Sequence, residues 1–103
     1  FQETIHFRLD AAHPPGCSHH QKIVVIDDCF AVCGGIDMTG DRWDRCAHAD
    51  HDPDRVRPSG RPYGPWHDAT MAVDAPLARA ISEVARDRWW RATGEELPPI
   101  EGA

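Results

Sequence analysis

At 103 residues the chain has room for one small domain, and no apolar stretch approaches the roughly 20 residues of a membrane-spanning helix. Seventeen acidic residues against eleven Lys and Arg give a net charge of -6. That balance argues against a nucleic-acid binder, which would present a broad basic face, but one lysine in a closed site can still serve a phosphodiester. Because the chain opens on Phe1 rather than methionine, we expect it to be a piece of a longer protein.

Short apolar runs predict a few strands followed by one helix. The predicted strands are residues 4–9, 22–26, 29–33 and 69–73. The helix is expected to begin at an N-cap on Asp74, with Pro76 in its first turn, and to end at about Arg91, before Gly94. Its predicted apolar stripe consists of Leu77, Ile81, Val84, Ala85 and Trp89. These elements predict a mixed α/β fold class, with an amphipathic helix packed on the strands.

The two central strands are separated only by the pair Asp27-Asp28, which predicts a tight hairpin. With a two-residue turn, Lys22 pairs with Cys33, and His20 pairs with Gly35. The residue beside the histidine would then have no side chain, which leaves room for a phosphate group. A four-residue turn would shift this pairing and keep the same faces together.

The rest of the chain is predicted to be irregular. Residues 41–65 are polar, rich in Asp, Arg, His, Pro and Gly, and form a long surface loop of the length that is usually functional or disordered. Residues 95–103 contain Pro98-Pro99 and are expected to form an extended or disordered tail. Residues 1–94 therefore form the one predicted domain.

The histidine and lysine of the hairpin have the chemistry of a phosphoryl-transfer site. His20 and Lys22 are two residues apart on an extended strand, so their side chains share a face about 7 Å apart. A neutral imidazole can attack phosphorus, and a fixed ammonium can hold the phosphoryl oxygens. A carboxylate on the other ring nitrogen would orient the imidazole. Asp68 is the main candidate, whereas Asp27 lies in the turn and is expected to fix the hairpin or nearby backbone.

The spacing H-x-K-x4-D-x6-G-G, which is formed by His20, Lys22, Asp27 and Gly34-Gly35, resembles the catalytic motif of the phospholipase D superfamily. The longer stretch 19–44, through Ile36-Asp37 and Arg42-Trp43-Asp44, resembles the first of two motifs in phospholipase D proper. The segment 65–68 (Pro-Trp-His-Asp) and the helix end at Arg88-Trp89 are similar to the segments that come after that motif in the family. The resemblance covers about residues 1–91.

This resemblance implies a partial phospholipase D-like lobe and a two-step phosphodiesterase that needs no metal or cofactor. His20 would be the nucleophile or the general acid, Lys22 would hold the nonbridging oxygens, and Asp68 would orient His20. Gly34, Gly35 and Asp37 would line the substrate, with Asp37 in a supporting role toward Lys22. The implied substrate is a phospholipid such as phosphatidylcholine, which is hydrolysed or transferred through a phosphohistidine.

The sequence departs from the family pattern because it contains only one His-x-Lys. In the family two motifs meet to make one active site, so this chain carries half of it. The expected partner is a second motif-bearing half or a second copy of the chain, and we expect a homodimer. Contact with a membrane surface is compatible with a phospholipid substrate. A catalytically inactive structural half is the alternative within this resemblance.

A second alternative is a small metal-binding module. Potential zinc ligands are Cys17, His19, Cys46, His48 and His51, although their spacing fits no zinc pattern. The four cysteines, at positions 17, 29, 33 and 46, contain no C-x-x-C pair and are expected to be buried thiols in a reducing compartment. The sequence does not name the compartment, and a cytoplasmic or membrane-peripheral location is favoured.

Overall fold

A computed structural model describes residues 4–102 of the chain. Its regular elements are strands β1 (Lys22–Ile26), β2 (Phe30–Gly34) and β3 (Thr70–Asp74), followed by helix α1 (Leu77–Thr93). The strands form one antiparallel sheet in the order β1-β2-β3, and α1 packs against all three. The prediction of a mixed α/β domain is confirmed. Among residues 4–102, no helix has the length and apolar character to span a membrane.

The hairpin is confirmed, but its predicted register is wrong. Lys22 lies opposite Gly34 rather than Cys33, and the same register extended to His20 sets it opposite Ile36 rather than Gly35, so the residue opposite the histidine is not a glycine. The reason is the length of the turn. Ile26 pairs with Phe30, so three residues, 27–29, form the turn, and a hydrogen bond from Cys29 N to Ile26 O at 3.1 Å closes it. Asp27 and Asp28 both have left-handed backbone angles, with φ of 51° and 56°. Asp tolerates this conformation better than most residues, so the longer turn is accessible without a glycine.

The predicted strand at residues 4–9 is wrong. The structure has no strand in that segment, and Ile5, Phe7 and Leu9 are exposed by 64%, 75% and 81%. Alternation makes a segment compatible with a sheet, but a strand also needs a neighbouring edge with which to pair. Residues 4–9 form no ladder with any of the three described strands, although β1 pairs only with β2 and so leaves one edge of the sheet open.

Helix α1 begins later than predicted. Asp74 still pairs with Phe30 in the sheet, so it is not the N-cap, and Leu77 is the first helical residue. The predicted end is confirmed in position: Gly94 is left-handed, with φ of 75°, and its N–H donates to Trp90 O.

The buried face of α1 centres on Ala78 and Ser82, beside the half-buried Ile81, Ala85 and Trp89. Two residues of the predicted stripe, Leu77 and Val84, are exposed instead. Small residues lie at this interface: Ala78 on the helix and Ala31 on β2 are both fully buried. Three of the five predicted stripe residues therefore lie on the buried face, and Ala78 and Ser82 stand there in place of Leu77 and Val84.

The four cysteines are free thiols, as expected, but their predicted burial is wrong for three of them. Cys17, Cys29 and Cys46 are exposed, and Cys33 is half-buried in β2. The exposed thiols lie in the turn or in segments outside the sheet, where there is little apolar surface to cover them.

A buried carboxylate in the hairpin turn joins the sheet, the helix and the C-terminal tail. Asp28 accepts hydrogen bonds from Ser82 Oγ and Arg86 Nη2 on α1, and from Ile100 N at 2.8 Å. The hydrogen bond from the Ile100 N–H, followed by those from Ser82 and Arg86, lowers the pKa of Asp28 to about 2. The tail that starts at residue 95 thus returns to the domain.

This pKa predicts a specific loss of stability in acid. The pKa of Asp28 is lower in the folded chain than its ordinary value of 3.8, so the stabilisation is complete above that value and is lost as the pH falls toward 2. We expect the urea midpoint of the wild type to fall more steeply than that of Asp28→Asn between pH 4 and pH 2. Parallel pH profiles for the two proteins would contradict this role of Asp28.

Candidate functional site

The Lys22 ammonium is held in place at the start of β1. Its Nζ lies 3.1 Å from Asp37 Oδ1 and donates to the His20 carbonyl oxygen at 3.0 Å, and the side chain is 11% exposed. An ammonium has three N–H donors, and these two contacts use two of them. One donor is therefore left for a ligand, in a fixed direction beside His20.

Asp37 links that lysine to an arginine. Its Oδ2 accepts from Arg42 Nη2 at 3.1 Å, and the hydrogen bonds from Arg42 and then Lys22 lower the pKa of Asp37. The Arg42 guanidinium in turn lies over the Trp66 ring, 4.1 Å from its centroid. Sequence reasoning placed Asp37 near Lys22 but gave Arg42 no role, because i+5 spacing outside a helix predicts no contact.

His20 is an exposed histidine two residues before the start of β1. Among the described residues its ring has no hydrogen-bond partner, and only its backbone carbonyl is bonded, to Lys22. Both ring nitrogens are therefore available to a substrate or to an orienting group.

Asp68 and His20 precede the two outer strands: Asp68 lies two residues before β3, and His20 lies two residues before β1. The Asp68 carboxylate covers Gly35 and accepts from Ala69 N at 2.7 Å. Residues 20 and 68 each lie two residues outside a strand, and extending the registers of β1-β2 and β2-β3 puts them on either side of Ile36, about 10 Å apart across two strand spacings. The structure does not join Asp68 to His20 by a hydrogen bond.

Asp27 is far from these residues. Seven residues of extended chain separate it from His20, which corresponds to about 23 Å. Its side chain is exposed and has no hydrogen bond to another described residue, so the role of fixing the hairpin falls to its neighbour Asp28.

The glycine pair has a structural reason that the sequence did not reveal. A Cβ on Gly34 would collide with the Ala69 carbonyl oxygen and the Thr70 Cα, and a Cβ on Gly35 would collide with the Asp68 carboxylate. Gly35 N also donates to Ala69 O at 3.0 Å. The absence of side chains lets the start of β3 approach β2 and brings Asp68 to this end of the sheet.

The close approach predicts unequal effects of alanine. In Gly34→Ala the new Cβ meets backbone, which cannot move without shifting β3, so we expect a free energy of unfolding lower by about 1–3 kcal/mol. In Gly35→Ala the clash is with a side chain that can rotate away, so the loss is smaller. Gly40→Ala is the control, because a Cβ there meets nothing within 4 Å. Equal urea midpoints for all three variants would contradict the proposed packing.

The loop predicted at residues 41–65 is organised around a buried arginine, which sequence reasoning missed. Arg55 is 1% exposed. Its guanidinium donates to Asp44 Oδ1 at 2.8 Å, to Tyr63 O at 3.0 Å, and to the carbonyl oxygens of Ala49 and Asp50, both at 2.9 Å. A polar core of this kind has no apolar periodicity, so its composition alone predicts a surface loop.

Asp44 connects that polar core to the candidate site. Burial raises the pKa of Asp44, but hydrogen bonds from Trp66 N–H and Arg55 outweigh it, so the net shift is downward. The same carboxylate lies 2.8 Å from His48 Nδ1. His48, together with Asp68 and Trp66, borders an open cavity of about 480 Å³. The loop thus supplies a second oriented histidine near Asp68, which the motif alone did not predict.

The residues of the metal-binding alternative do not converge. His19 lies beside Asp10 and His48 beside Asp44. Across residues 4–102 no group of three or more His, Cys, Asp or Glu side chains has the arrangement to hold a metal ion.

Comparison with known proteins gives relatives of one kind. The chain is 29% identical to phospholipase D alpha 1 of Nicotiana tabacum and 30% identical to that of Cynara cardunculus, in each case over 78% of this chain and 13% of the relative. Phospholipase D of Phytophthora infestans is 26% identical over 70% of this chain and 6% of its own length. No family model and no solved structure matches the chain.

The chain is therefore related to a region of the phospholipases D, and it spans 13% or less of the length of the curated relatives it matches here. The similarity supports the phospholipase D-related region that the sequence predicted. These relatives carry the names of enzymes. Their names do not establish an activity for this chain.

Proposed function

We propose that the chain carries one half of the active site of a phospholipase D-type phosphodiesterase, with His20 as the nucleophile. The observation that carries the proposal is the pairing of His20, whose ring is exposed and free of hydrogen bonds to other described residues, with the fixed Lys22 ammonium beside it. The names of the relatives support the same reaction class. The proposed substrate is a phospholipid.

The reaction has two steps. A neutral ring nitrogen of His20 attacks phosphorus, so that an N–P bond forms while the P–O bond to the leaving alcohol breaks. A second histidine, from the other half, gives the leaving oxygen its proton. Water, or an acceptor alcohol, then attacks phosphorus, gives its proton to that second histidine and displaces His20. Throughout, the remaining Lys22 N–H binds a nonbridging oxygen, whose charge it stabilises.

Asp68 is the proposed orienting group for His20. Extending the two sheet registers puts residues 20 and 68 in one row with Ile36 between them, and the Asp68 carboxylate lies over Gly35, next to that row. A carboxylate that accepts from one ring nitrogen would hold the other in the attacking direction. Asp37, which holds Lys22 and Arg42, keeps the ammonium at the site. We assign Asp27 no contact with the substrate.

The function is tested with bis(p-nitrophenyl) phosphate, because nitrophenolate leaves without needing a proton from a second histidine. Half a site predicts release of about one equivalent of nitrophenolate per chain, as His20 becomes phosphorylated, followed by a much slower phase. Release no faster than in chain-free buffer would contradict the proposal.

Light scattering on the same sample tests the second half. If two copies assemble one complete site, we expect a dimer mass together with continuous turnover of phosphatidylcholine vesicles. A monomer that releases one equivalent and does not turn over would show that the other half is a different segment of chain.

A further inference from the structure

The residues on either side of His20 are held by one ion pair from distant parts of the chain. His19 Nε2 lies 3.1 Å from Asp10 Oδ2, and Gln21 Oε1 accepts from Arg88 Nη1 at 2.9 Å. Arg88 also donates to Asp10 Oδ2 through Nη2 at 3.2 Å and Nε at 3.4 Å. Helix α1 is thereby connected to the residue before His20 and to the residue after it.

This connection acts from behind the candidate site. Successive side chains of an extended chain point to opposite sides, so His19 and Gln21 lie on the side that α1 covers, and His20 and Lys22 lie on the other. The Lys22 ammonium holds the His20 carbonyl from its own side. The backbone of His20 is thus fixed from both sides while its ring has no bond to another described residue.

The ion pair is shielded from solvent on its inner side. The side chains of Asp10 and Arg88 are 19% and 27% exposed, and Asp10 Oδ1 also accepts from Ala12 N at 3.0 Å. Salt screens a partly buried arginine–carboxylate pair with several hydrogen bonds less than it screens an exposed pair. The favourable energy of such a pair also exceeds the cost in side-chain entropy by more. Because the guanidinium bonds two partners through three N–H groups, a lysine could not reproduce its geometry.

We propose that Asp10 and Arg88 are positioning residues for His20: they hold His19 and Gln21 and so fix the direction in which the His20 ring leaves the backbone. The ordering of His20 stands on these contacts alone. The consequence for phosphoryl transfer rests on the proposed function, since a nucleophile displaced by about 1 Å can react on the order of a hundredfold more slowly.

The ordering is tested by ¹⁵N relaxation of the full chain, with no substrate present. In wild type we expect an order parameter of about 0.85 for the His20 amide, and in Arg88→Gln a value below about 0.6. Arg91→Gln is the matched control, because it breaks an exposed ion pair with Asp87 on the same helix and touches none of residues 19–21. Gln21→Ala removes only the hydrogen bond between Arg88 and residue 21, and we expect an intermediate order parameter for His20.

An unchanged His20 order parameter in folded Arg88→Gln would overturn the proposal. If Arg88→Gln does not fold, Gln21→Ala decides in the same way. The rate of nitrophenolate release is the second readout, and we expect it to fall ten- to a hundredfold in Arg88→Gln and to stay unchanged in Arg91→Gln. A flexible His20 with an unchanged release rate would overturn the positioning role. If the wild type releases nothing, the proposed function fails, and the relaxation data still test the contacts.

Discussion

His20→Ala is expected to abolish nitrophenolate release from bis(p-nitrophenyl) phosphate, with a rate at least about a thousandfold below wild type, because no N–P bond can form without the ring. The chain should stay folded, since the His20 side chain is exposed and bonds no other described residue. The measurement is the burst amplitude and rate at 400 nm, with circular dichroism as the check on folding.

The matched control for that variant is His51→Ala. His51 is also exposed, and it lies in the loop away from β1. We expect a full burst from this protein. A full burst from folded His20→Ala would show that another group is phosphorylated, and it would remove His20 from the site.

Arg55→Met is expected to open the loop between β2 and β3. The change removes four hydrogen bonds from a buried guanidinium and leaves the half-buried, ionised Asp44 without its main cationic partner. We expect chymotrypsin to cut at Tyr63 or Trp66 roughly ten times faster or more, since cleavage follows the population of opened chain. Nitrophenolate release should also slow, because Trp66 and Asp68 lose their support.

Arg61→Met makes the same chemical change on an exposed side chain in the same loop, and we expect cleavage at the wild-type rate. Equal rates for Arg55→Met and Arg61→Met would mean that the polar core does not hold the loop. The backbone amide of Trp66 donates to Asp44 Oδ2. A change in the NMR chemical shift of that amide in Arg55→Met, and not in Arg61→Met, would confirm that the effect passes through Asp44.

The hairpin and the helix could be predicted from sequence because each has a local signal. Short apolar runs on either side of an Asp pair define β1 and β2, and Gly94 marks the end of α1. The register could not be predicted, because it depends on whether Asp27 and Asp28 adopt left-handed angles, and composition does not decide this. A change of one residue in turn length moved Lys22 from Cys33 to Gly34.

The missed features depend on contacts between distant residues. Asp28 looks like an ordinary turn residue until Ser82, Arg86 and Ile100 are brought to it. Residues 4–9 alternate like a strand but pair with none of the three strands that the structure describes. In each case the residue type limits what the side chain can do, and only the fold determines whether its partner is present.

The candidate site shows the same difference between features with a local sequence signal and features that depend on tertiary contacts. The motif puts His20 two residues before Lys22, which begins β1, and the Lys22 ammonium reaches the His20 carbonyl oxygen across this short separation without any tertiary contact. The motif did not predict Arg42, whose contact with Asp37 lies within an irregular loop, nor the Asp10–Arg88 pair behind His20, which joins segments far apart in the chain. The role of Asp68 is still a prediction, since the structure shows no hydrogen bond between Asp68 and His20.

The most direct test of the half-site is to locate the adduct by mass spectrometry after reaction with bis(p-nitrophenyl) phosphate. We predict one nitrophenyl phosphoryl group per chain, on His20, that acid removes and alkali does not, as the N–P bond of a phosphohistidine requires. Fragment ions would separate His20 from its neighbour His19. An unmodified His20, whether the chain carries no adduct or carries it on another residue such as His48, would contradict the account.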